Sequence, residues 1–215
     1  MGKQMRVIQA GLIEYTKALE VQKDLVRGVQ AGGEDVLLLC EHPATLTLGR
    51  ATRPQNILAP REELVRRGVA VAEADRGGDV TLHAPGQLVA YPVMDLKRRG
   101  RDLGAYLRKL EQASVDFLAD FGIVAQGDDS RRGVWAGRAK IASIGIGVSR
   151  WVTYHGVGVN VTTDLTLFRL IRPCGLDVAM TSVKELTGRA PAMADAAEGF
   201  VQHFSRIFHD EDRSS

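Results

Sequence analysis

The chain has 215 residues, of which 45% are hydrophobic and 25% are charged, so it can form one well-packed domain. Its net charge of +2 does not indicate a nucleic-acid-binding protein. No uninterrupted apolar run is long enough to cross a bilayer, and no apolar signal core follows the N-terminus. We therefore expect one cytoplasmic domain over residues 1–215, with neither a nucleic-acid nor a membrane partner.

The first half of the sequence is rich in predicted strands. A helix is predicted at 12–29 from its apolar spacing, and a second, short helix at 60–67, with Pro60 in its first turn. Short or alternating apolar runs bounded by glycine and proline predict strands at 6–10, 36–40, 45–48, 69–72, 79–83 and 87–93.

The second half mixes long helices with a predicted hairpin. Asp102 is the expected N-cap of a helix that ends near Gly122, and Pro191 opens a C-terminal helix. Strands are predicted at 133–135, 140–149 and 151–161, the last two turning near Arg150. Because strands and helices do not alternate strictly, we predict an α+β fold with a mixed, largely antiparallel sheet flanked by helices.

Cys174 and Lys140 are the candidate chemical groups. Cys174 follows Arg-Pro, and Lys140 lies in Gly-Arg-Ala-Lys-Ile-Ala-Ser-Ile-Gly. A thiol becomes an effective nucleophile when a nearby cation stabilises its thiolate, and Lys140 can supply that cation. A lone cysteine is more often a small buried hydrophobic residue, which is our interpretation of Cys40 at the end of a buried-looking strand.

Glycines recur on one face of two predicted strands. Alternate strand residues share a face, so Ser143, Gly145 and Gly147 point one way, and Gly156 and Gly158 also share a side. Repeated glycine on a face indicates a close approach to the backbone, either by a packed element or by a ligand. No phosphate-loop sequence and no Gly-x-Gly-x-x-Gly opening a helix is present, so no nucleotide cofactor is predicted.

Basic residues cluster at Lys97, Arg98, Arg99 and Arg101, at Arg131 and Arg132, and at Arg169 and Arg172 beside Cys174. Taken singly, each cluster is typical of a solvated loop. Together they could form a docking surface for an acidic partner.

The combination of motifs resembles the lipoyl(octanoyl) transferases over nearly the whole chain. The motifs are Glu41-His42-Pro43, Leu48-Gly49-Arg50, Arg76-Gly77-Gly78 with Thr81 and His83, Pro85-Gly86-Gln87, Lys140 to Gly145, His155-Gly156 with Asn160, and Pro173-Cys174-Gly175. The resemblance implies a fold like the catalytic core of the biotin and lipoate ligases. It also implies transfer of octanoate from octanoyl-acyl carrier protein to a lysine of lipoyl domains, as found in 2-oxoacid dehydrogenase complexes and the glycine cleavage H protein.

The resemblance also implies roles for individual residues, with no metal and no cofactor. Cys174 is the acyl-thioester nucleophile, and Lys140 lowers its pKa. The expected substrate contacts are Arg76, Gly77, Gly78, Asp79, Val80, Thr81, Leu82, His83, Ser143, Ile144, Gly145, Gly156, Val157 and Gly158. The family usually has an aromatic residue before the histidine and glycine after it, where this chain has Leu82 and Ala84.

Three other interpretations remain open at this point. A metal site could use His42, His83, His155 and Cys174, although no pair has the short spacing typical of ligands. The same fold could host an ATP-dependent lipoate ligase, which the cysteine and lysine disfavour. The chain could also bind acylated carrier proteins without catalysis.

Overall fold

The computed structural model describes residues 5–128, 130–173 and 178–209. Its strands are β1 (Arg6–Leu12), β2 (Val36–Glu41), β3 (Thr45–Leu48), β4 (Ala70–Glu73), β5 (Thr81–His83), β6 (Gln87–Val93), β7 (Gln126–Gly127), β8 (Val134–Ala136), β9 (Ala139–Ser149) and β10 (Val152–Asn160). Its helices are α1 (Tyr15–Gln30), α2 (Arg61–Arg66), α3 (Leu103–Ala119), α4 (Val183–Thr187) and α5 (Met193–His209). Short 3₁₀ turns occur at Pro54–Asn56, Leu96–Arg99 and Leu165–Leu170.

The strands form two sheets. The large one has seven strands in the order β1-β2-β6-β10-β9-β8-β7, and the small one has the order β4-β3-β5. Pairing is antiparallel except between β1 and β2 and between β3 and β4. The predicted α+β class with a mixed, largely antiparallel sheet is confirmed.

Most predicted elements are present with small changes at their ends. Helix α1 begins at Tyr15 rather than at residue 12, because β1 continues to Leu12, which pairs with Glu41. The N-cap prediction is confirmed, since the Asp102 carboxylate accepts the Ala105 N–H at 2.9 Å. β7 and α4 escaped prediction because they are too short to show a period.

The large sheet buries both faces, and this determines where a ligand can bind. One face packs under α3 and α5 around Phe117, Phe200 and Phe204. The other face packs against α1 through residues such as Leu38 and Val89. The small sheet has its own core, which contains Leu46, Leu82, Phe168 and their neighbours.

The predicted hairpin of β9 and β10 is confirmed. Arg150 and Trp151 form its turn with φ of 51° and 69°, and positive φ at both central residues is typical of a type I′ turn. Gly145 pairs with Gly156, and Ser143 pairs with Gly158. Residues directly opposite each other point to the same face, so the small residues of both strands lie on one face of the sheet.

The basic cluster at 97–99 fastens the fold rather than lying loose in solvent. Arg99 donates to the Phe208 carbonyl at 2.8 Å and to the Asp35 carboxylate at 3.1 Å. Arg98 lies 3.7 Å from Asp35 and donates to the Gly33 carbonyl. These contacts tie the turn to the start of β2 and to α5 and pair Arg98 and Arg99 with Asp35, while Lys97 and Arg98 remain exposed.

None of the helices in the part of the chain that the structure describes has the length and apolarity needed to span a membrane.

Candidate active site

A cleft lies over the glycine face of β9 and β10, opposite the loop that follows β4. Its cavity volume is about 40 Å³, and the empty space with its open mouth included is about 450 Å³. Its lining brings together most of the predicted substrate contacts, and adds two tyrosines and a histidine: Tyr15, Arg76, Gly78, Asp79, Thr81, His83, Tyr91, Ser143, Ile144, Gly145, His155, Gly156, Val157 and Gly158.

Arg76 shapes the loop on one side of this cleft. Its buried guanidinium donates to the Thr47 carbonyl and hydroxyl at 2.8 and 2.9 Å, and to the Asp79 carbonyl at 2.8 Å. A Cβ at Gly49 would lie 2.3 Å from the Gly78 carbonyl oxygen, which explains the glycine of the Leu-Gly-Arg motif. The Gly77 N–H is already bonded to the Ile146 carbonyl at 2.8 Å, so it is not available as an oxyanion donor.

The strand glycines admit neighbouring protein groups as well as the cleft. A Cβ at Gly145 would lie 3.0 Å from the Arg76 Cδ, and one at Gly158 would lie 2.8 Å from the Gln87 Oε1. The sequence left open whether a packed element or a ligand approaches these glycines, and the structure leaves room for both. Packed side chains approach the strands, and the remaining space over them forms the cleft.

Strand β5 separates the predicted contacts into two groups. Thr81 and His83 line the cleft, whereas Val80 and Leu82 point to the opposite side and pack, fully buried, in the small-sheet core. The structure therefore does not bring Val80 or Leu82 to the cleft, as the alternation of a strand requires, and Gly77 is also not among the residues that line it. Ala84 lies in the same core, so both departures from the family pattern lie away from the cleft.

Stacked aromatic and histidine rings close one end of the cleft. The Tyr15 ring stacks on His83 at 5.9 Å and on His155 at 6.4 Å between centroids. His42 contacts Tyr15 and His83 edge-on at 5.5 and 5.4 Å. Burial lowers the pKa of His83 well below its ordinary value, and it raises the pKa of Tyr15 to about 12. This end of the cleft is therefore uncharged at neutral pH.

The ring nitrogens of His42 are both occupied. Nδ1 donates to the Ile13 carbonyl at 2.7 Å, and Nε2 accepts the Tyr91 hydroxyl at 2.8 Å. Within residues 5–128, 130–173 and 178–209, no three His, Cys, Asp or Glu side chains are grouped as metal ligands.

His155 lies in the cleft wall in a left-handed conformation, with φ of 56°. Its N–H donates to the Gln22 Oε1 at 2.7 Å, and its Nε2 lies 2.9 Å from the Asp75 carboxylate. Burial lowers the pKa of His155 to about 4, against the opposing effect of Asp75. Burial would raise the pKa of Asp75, but hydrogen bonds from His155 and Tyr154 outweigh it and lower that pKa.

We expect the neutral, buried state of His155 to make stability depend on acid. An unfolded histidine takes up a proton near pH 6.5, while folded His155 resists protonation down to about pH 4. Its contribution to stability is present above pH 6.5 and is lost as the pH falls toward 4, by up to about 1.4 kcal/mol per pH unit. When the free energy of unfolding is measured with denaturant at several pH values between 7 and 4, it should fall less steeply with decreasing pH in His155→Asn than in wild type. An unchanged slope in that variant would contradict this assignment.

Three hydroxyl groups on the cleft wall have no hydrogen-bond partner among the described residues. They belong to Tyr15, Thr81 and Ser143. Tyr15 and Thr81 are 2% and 6% exposed, and buried polar groups are normally satisfied. A polar atom of a ligand or an ordered water molecule can therefore satisfy these hydroxyl groups.

Lys140 reaches the cleft side of the sheet through a β-bulge. Val134 pairs with Ala142 and Trp135 pairs with Lys140, so Ile141 is an extra residue in β9. Ile141 and Ala142 are consequently both buried in the core under α3 and α5. Lys140 then shares the face of Ser143, whereas strict alternation would have placed it on the other face.

The Lys140 side chain is fully buried and tightly held. Its Nζ donates to the Arg132 carbonyl at 2.8 Å and lies 5.5 Å from the centroid of the Trp135 ring. Gly133 adopts φ of 137°, and a Cβ there would lie 2.4 Å from the Lys140 Cε. The glycine is therefore required for the lysine to lie against this loop.

Cys174 lies outside the described residues, which stop at Pro173 and resume at Val178. The pairing of β9 with β10 ends at Ala142. Beyond that point the chain that resumes at Val178 runs beside β9, where Met180 pairs with Lys140. The Lys140 N–H donates to the Ala179 carbonyl, and the Lys140 carbonyl accepts the Thr181 N–H, both at 2.9 Å.

A chain of amides links the cleft to this segment. His83 Nδ1 donates to the Gln87 Oε1 at 2.7 Å, and the Gln87 Nε2 donates to the Asn160 Oδ1 at 2.9 Å. Asn160 in turn donates to the Thr181 carbonyl at 3.0 Å. The Pro-Gly-Gln and His-Gly-x-x-x-Asn motifs therefore connect the cleft with the segment that follows Cys174.

Comparison with known proteins agrees with this arrangement. The sequence profile of the lipoyl protein ligase A/B catalytic domain matches residues 14–205. The octanoyltransferase of Solibacter usitatus is 49% identical over 94% of this chain and 92% of its own length. The octanoyltransferase of Geobacter metallireducens is 45% identical over 93% and 92%. This chain belongs to the octanoyltransferase family. The predicted octanoyltransferase class, with octanoyl transfer in protein lipoylation, is confirmed.

Solved structures place the octanoyltransferase among the lipoate and biotin ligases in fold. A lipoate-protein ligase A bound with ATP superposes with a TM-score of 0.78 at 17% identity, covering 97% of this chain and 86% of that one. The biotin protein ligase of Aquifex aeolicus gives 0.56 at 13% identity, covering 100% and 73%. The predicted likeness to the biotin and lipoate ligase core is confirmed.

The sequence did not single out two aromatic residues of the octanoyltransferase cleft, Tyr15 and Tyr91. Tyr91 lies on the same face of β6 as Val89 and Val93, and Tyr15 is the first residue of α1. Both therefore look like ordinary core aromatics. Only the structure distinguishes them, because it places each tyrosine ring beside a histidine of a recognised motif.

Proposed function

We propose that the enzyme transfers octanoate in two steps through a thioester on Cys174. The Cys174 thiolate attacks the carbonyl of an octanoyl thioester on acyl carrier protein, and the carrier thiolate leaves. The acyl-enzyme is then attacked by the amine of a target lysine, which releases Cys174 and loses a proton. One thioester replaces another in the first step and an amide forms in the second, so no ATP is needed.

In this mechanism Lys140 has two successive roles. As an ammonium group it favours the thiolate of Cys174, and it gives its proton to the carrier thiolate that leaves. In the neutral form so produced it accepts the proton lost by the incoming amine, which restores the ammonium group. The observation that carries the proposal is the pair of main-chain hydrogen bonds in which Lys140 donates to the Ala179 carbonyl and accepts from the Thr181 N–H. They bring the lysine against the segment that follows the cysteine.

The cleft suits an acyl chain with a polar head. The strand glycines and the rings of Tyr15 and Tyr91 offer apolar walls, while the unpartnered hydroxyls of Thr81 and Tyr15 offer donors for a carbonyl oxygen. Ile144 and Val157 border the cleft through their main chain only, because their side chains pack in the core on the other face of the sheet. Each methylene buried contributes about 0.8 kcal/mol. The substrate contacts that we propose are those predicted residues that line the cleft, together with Tyr15, Tyr91 and His155.

The partners that we propose are octanoyl-acyl carrier protein as donor and lipoyl domains as acceptors, including those of 2-oxoacid dehydrogenase complexes and the H protein of glycine cleavage. The mechanism requires Cys174 as a thiol, which a reducing compartment such as the cytoplasm preserves. The test is transfer from octanoyl carrier protein to a lipoyl domain without nucleotide. A strict requirement for ATP would instead support a ligase of the same fold.

Arg169 and Arg172 are the candidates for docking the acidic carrier protein. Both are exposed and line a groove of about 1020 Å³ beside Pro173, with Lys184 in the same wall. Unlike the cluster at 97–99, neither arginine has an ion pair in the part of the chain that the structure describes. Asp164 and Glu185 also line the groove, so the arginines rather than the whole groove carry the positive charge.

Reversing both charges in Arg169→Glu with Arg172→Glu is expected to raise KM for octanoyl carrier protein by about tenfold at low salt, since docking charges act mainly on association. The effect should shrink at high salt. Steady-state kinetics at two ionic strengths measure it. Arg108→Glu, an exposed change on α3 beyond the other face of the large sheet, is the control. If the double variant and the control have equal KM values, the two arginines do not dock the carrier protein and are ordinary solvated surface residues.

A further inference from the structure

The loop before β8 supplies the acceptor that fixes Lys140. The Arg132 carbonyl accepts from the Lys140 Nζ at 2.8 Å. The adjacent Gly133 lies against the methylene carbons of the same lysine. The direction in which the ammonium group points therefore depends on what holds residues 131–133.

Glu111 of α3 is the group that holds this loop. It is only 5% exposed, and its two carboxylate oxygens each lie 3.1 Å from the Arg132 Nη1. The Gly133 N–H donates to the same carboxylate at 3.3 Å. The carboxylate thus accepts hydrogen bonds from the Arg132 side chain and from the Gly133 N–H. The Arg132 carbonyl, which accepts from Lys140, lies between these two groups in the chain.

Strand β7 covers the carboxylate from the outside. A Cβ at Gly127 would lie 2.9 Å from the Glu111 Oε2, so only glycine leaves room for the carboxylate at this point. A buried carboxylate is costly unless it is paired and hydrogen-bonded. This buried carboxylate is bonded to the loop that holds Lys140, so it fixes the loop as a surface ion pair would not.

We infer that Glu111 is a positioning residue for Lys140 and acts through the Arg132 carbonyl. This inference rests on the proposed function, since it has a catalytic consequence only if Lys140 serves Cys174. A displacement of about 1 Å at a catalytic group can cost 10²-fold in rate. Removing Glu111 releases the loop, and the ammonium group loses its fixed acceptor.

The experiment compares Glu111→Ala and Glu111→Gln with a matched control on the same helix. Asp116→Asn removes a carboxylate of α3 that is paired with Arg206 and does not contact the loop. We expect Glu111→Ala to lower kcat by about 10- to 100-fold, with KM for octanoyl carrier protein changed less than threefold. Glu111→Gln, which keeps an oxygen for the Gly133 N–H, should fall between wild type and Glu111→Ala. Asp116→Asn should behave as wild type.

Two further measurements separate positioning from a merely structural role. Glu111→Ala should raise the pH midpoint for alkylation of Cys174 in the same direction as Lys140→Ala. In a Lys140→Ala background, adding the Glu111 change should lower kcat no further, because interacting residues are not additive. The cycle is also run with Glu111→Gln, whose similar shape preserves folding.

The outcomes are distinguishable. An additive loss, or a lower melting temperature with an unchanged alkylation midpoint, would overturn the role of Glu111 while leaving Lys140 in place. If Lys140→Ala itself leaves alkylation and rate unchanged, the proposed mechanism fails first.

Discussion

Replacement of Cys174 by alanine is expected to lower kcat/KM for octanoyl transfer by roughly 10⁴-fold or more, since the two-step route cannot proceed without its nucleophile. Without the thiol, only direct attack of the lysine amine on the carrier thioester remains. The measurement is transfer of octanoate from carrier protein to a lipoyl domain, followed by mass spectrometry of the acceptor.

Cys40 provides the matched control for this variant. It is 4% exposed, its Sγ lies 3.6 Å from the His42 Nε2, and burial raises the pKa of its thiol. A buried thiol of raised pKa is unreactive, so Cys40→Ala should keep nearly all of the activity. Substantial transfer by Cys174→Ala, or loss of transfer in Cys40→Ala alone, would contradict the assignment of the nucleophile.

Lys140→Ala is expected to lower the rate by about 10²- to 10⁴-fold, the usual range for a positioned acid or base. The variant should also shift alkylation of Cys174 by iodoacetamide to higher pH, because the nearby cation that favours the thiolate is gone. The pH dependence of the alkylation rate in wild type and variant measures this shift directly.

Because Lys140 is fully buried, its truncation also leaves a cavity, and folding must be checked. Lys140→Met fills similar volume without the charge and should show the same shift with less loss of stability. If the methionine variant is folded and alkylates with the wild-type pH profile, Lys140 is not the electrostatic partner of Cys174.

The sequence was sufficient for much of the architecture because its signals are local. The hairpin of β9 and β10, the capping of α3 by Asp102 and the shared face of Ser143 and Gly145 follow from period and turn chemistry. The motif segments around Arg76 and Gly156 also converge on one cleft. Alternation predicts the shared faces and cap or turn residues predict the helix start and the hairpin, whereas the meeting of the motif segments was implied by the family resemblance.

Other features depend on contacts that no local pattern contains. The bulge at Ile141 reverses the side on which Lys140 lies, and only pairing with β8 determines it. The separation of Val80 and Leu82 from the cleft depends on the small sheet packing behind β5. The bonds that tie Arg99 to Asp35 and Phe208 join residues distant in sequence, so the charge cluster could not be distinguished from a docking surface.

The measurement that tests the central claim most directly is intact mass spectrometry of the enzyme after brief mixing with octanoyl-acyl carrier protein, without ATP and without acceptor. The account predicts one octanoyl adduct on the wild-type and Cys40→Ala enzymes, removed by hydroxylamine or by a lipoyl domain, and none on Cys174→Ala. An adduct that survives the Cys174 substitution, or wild-type enzyme that transfers octanoate rapidly while never forming an adduct, would contradict the thioester mechanism.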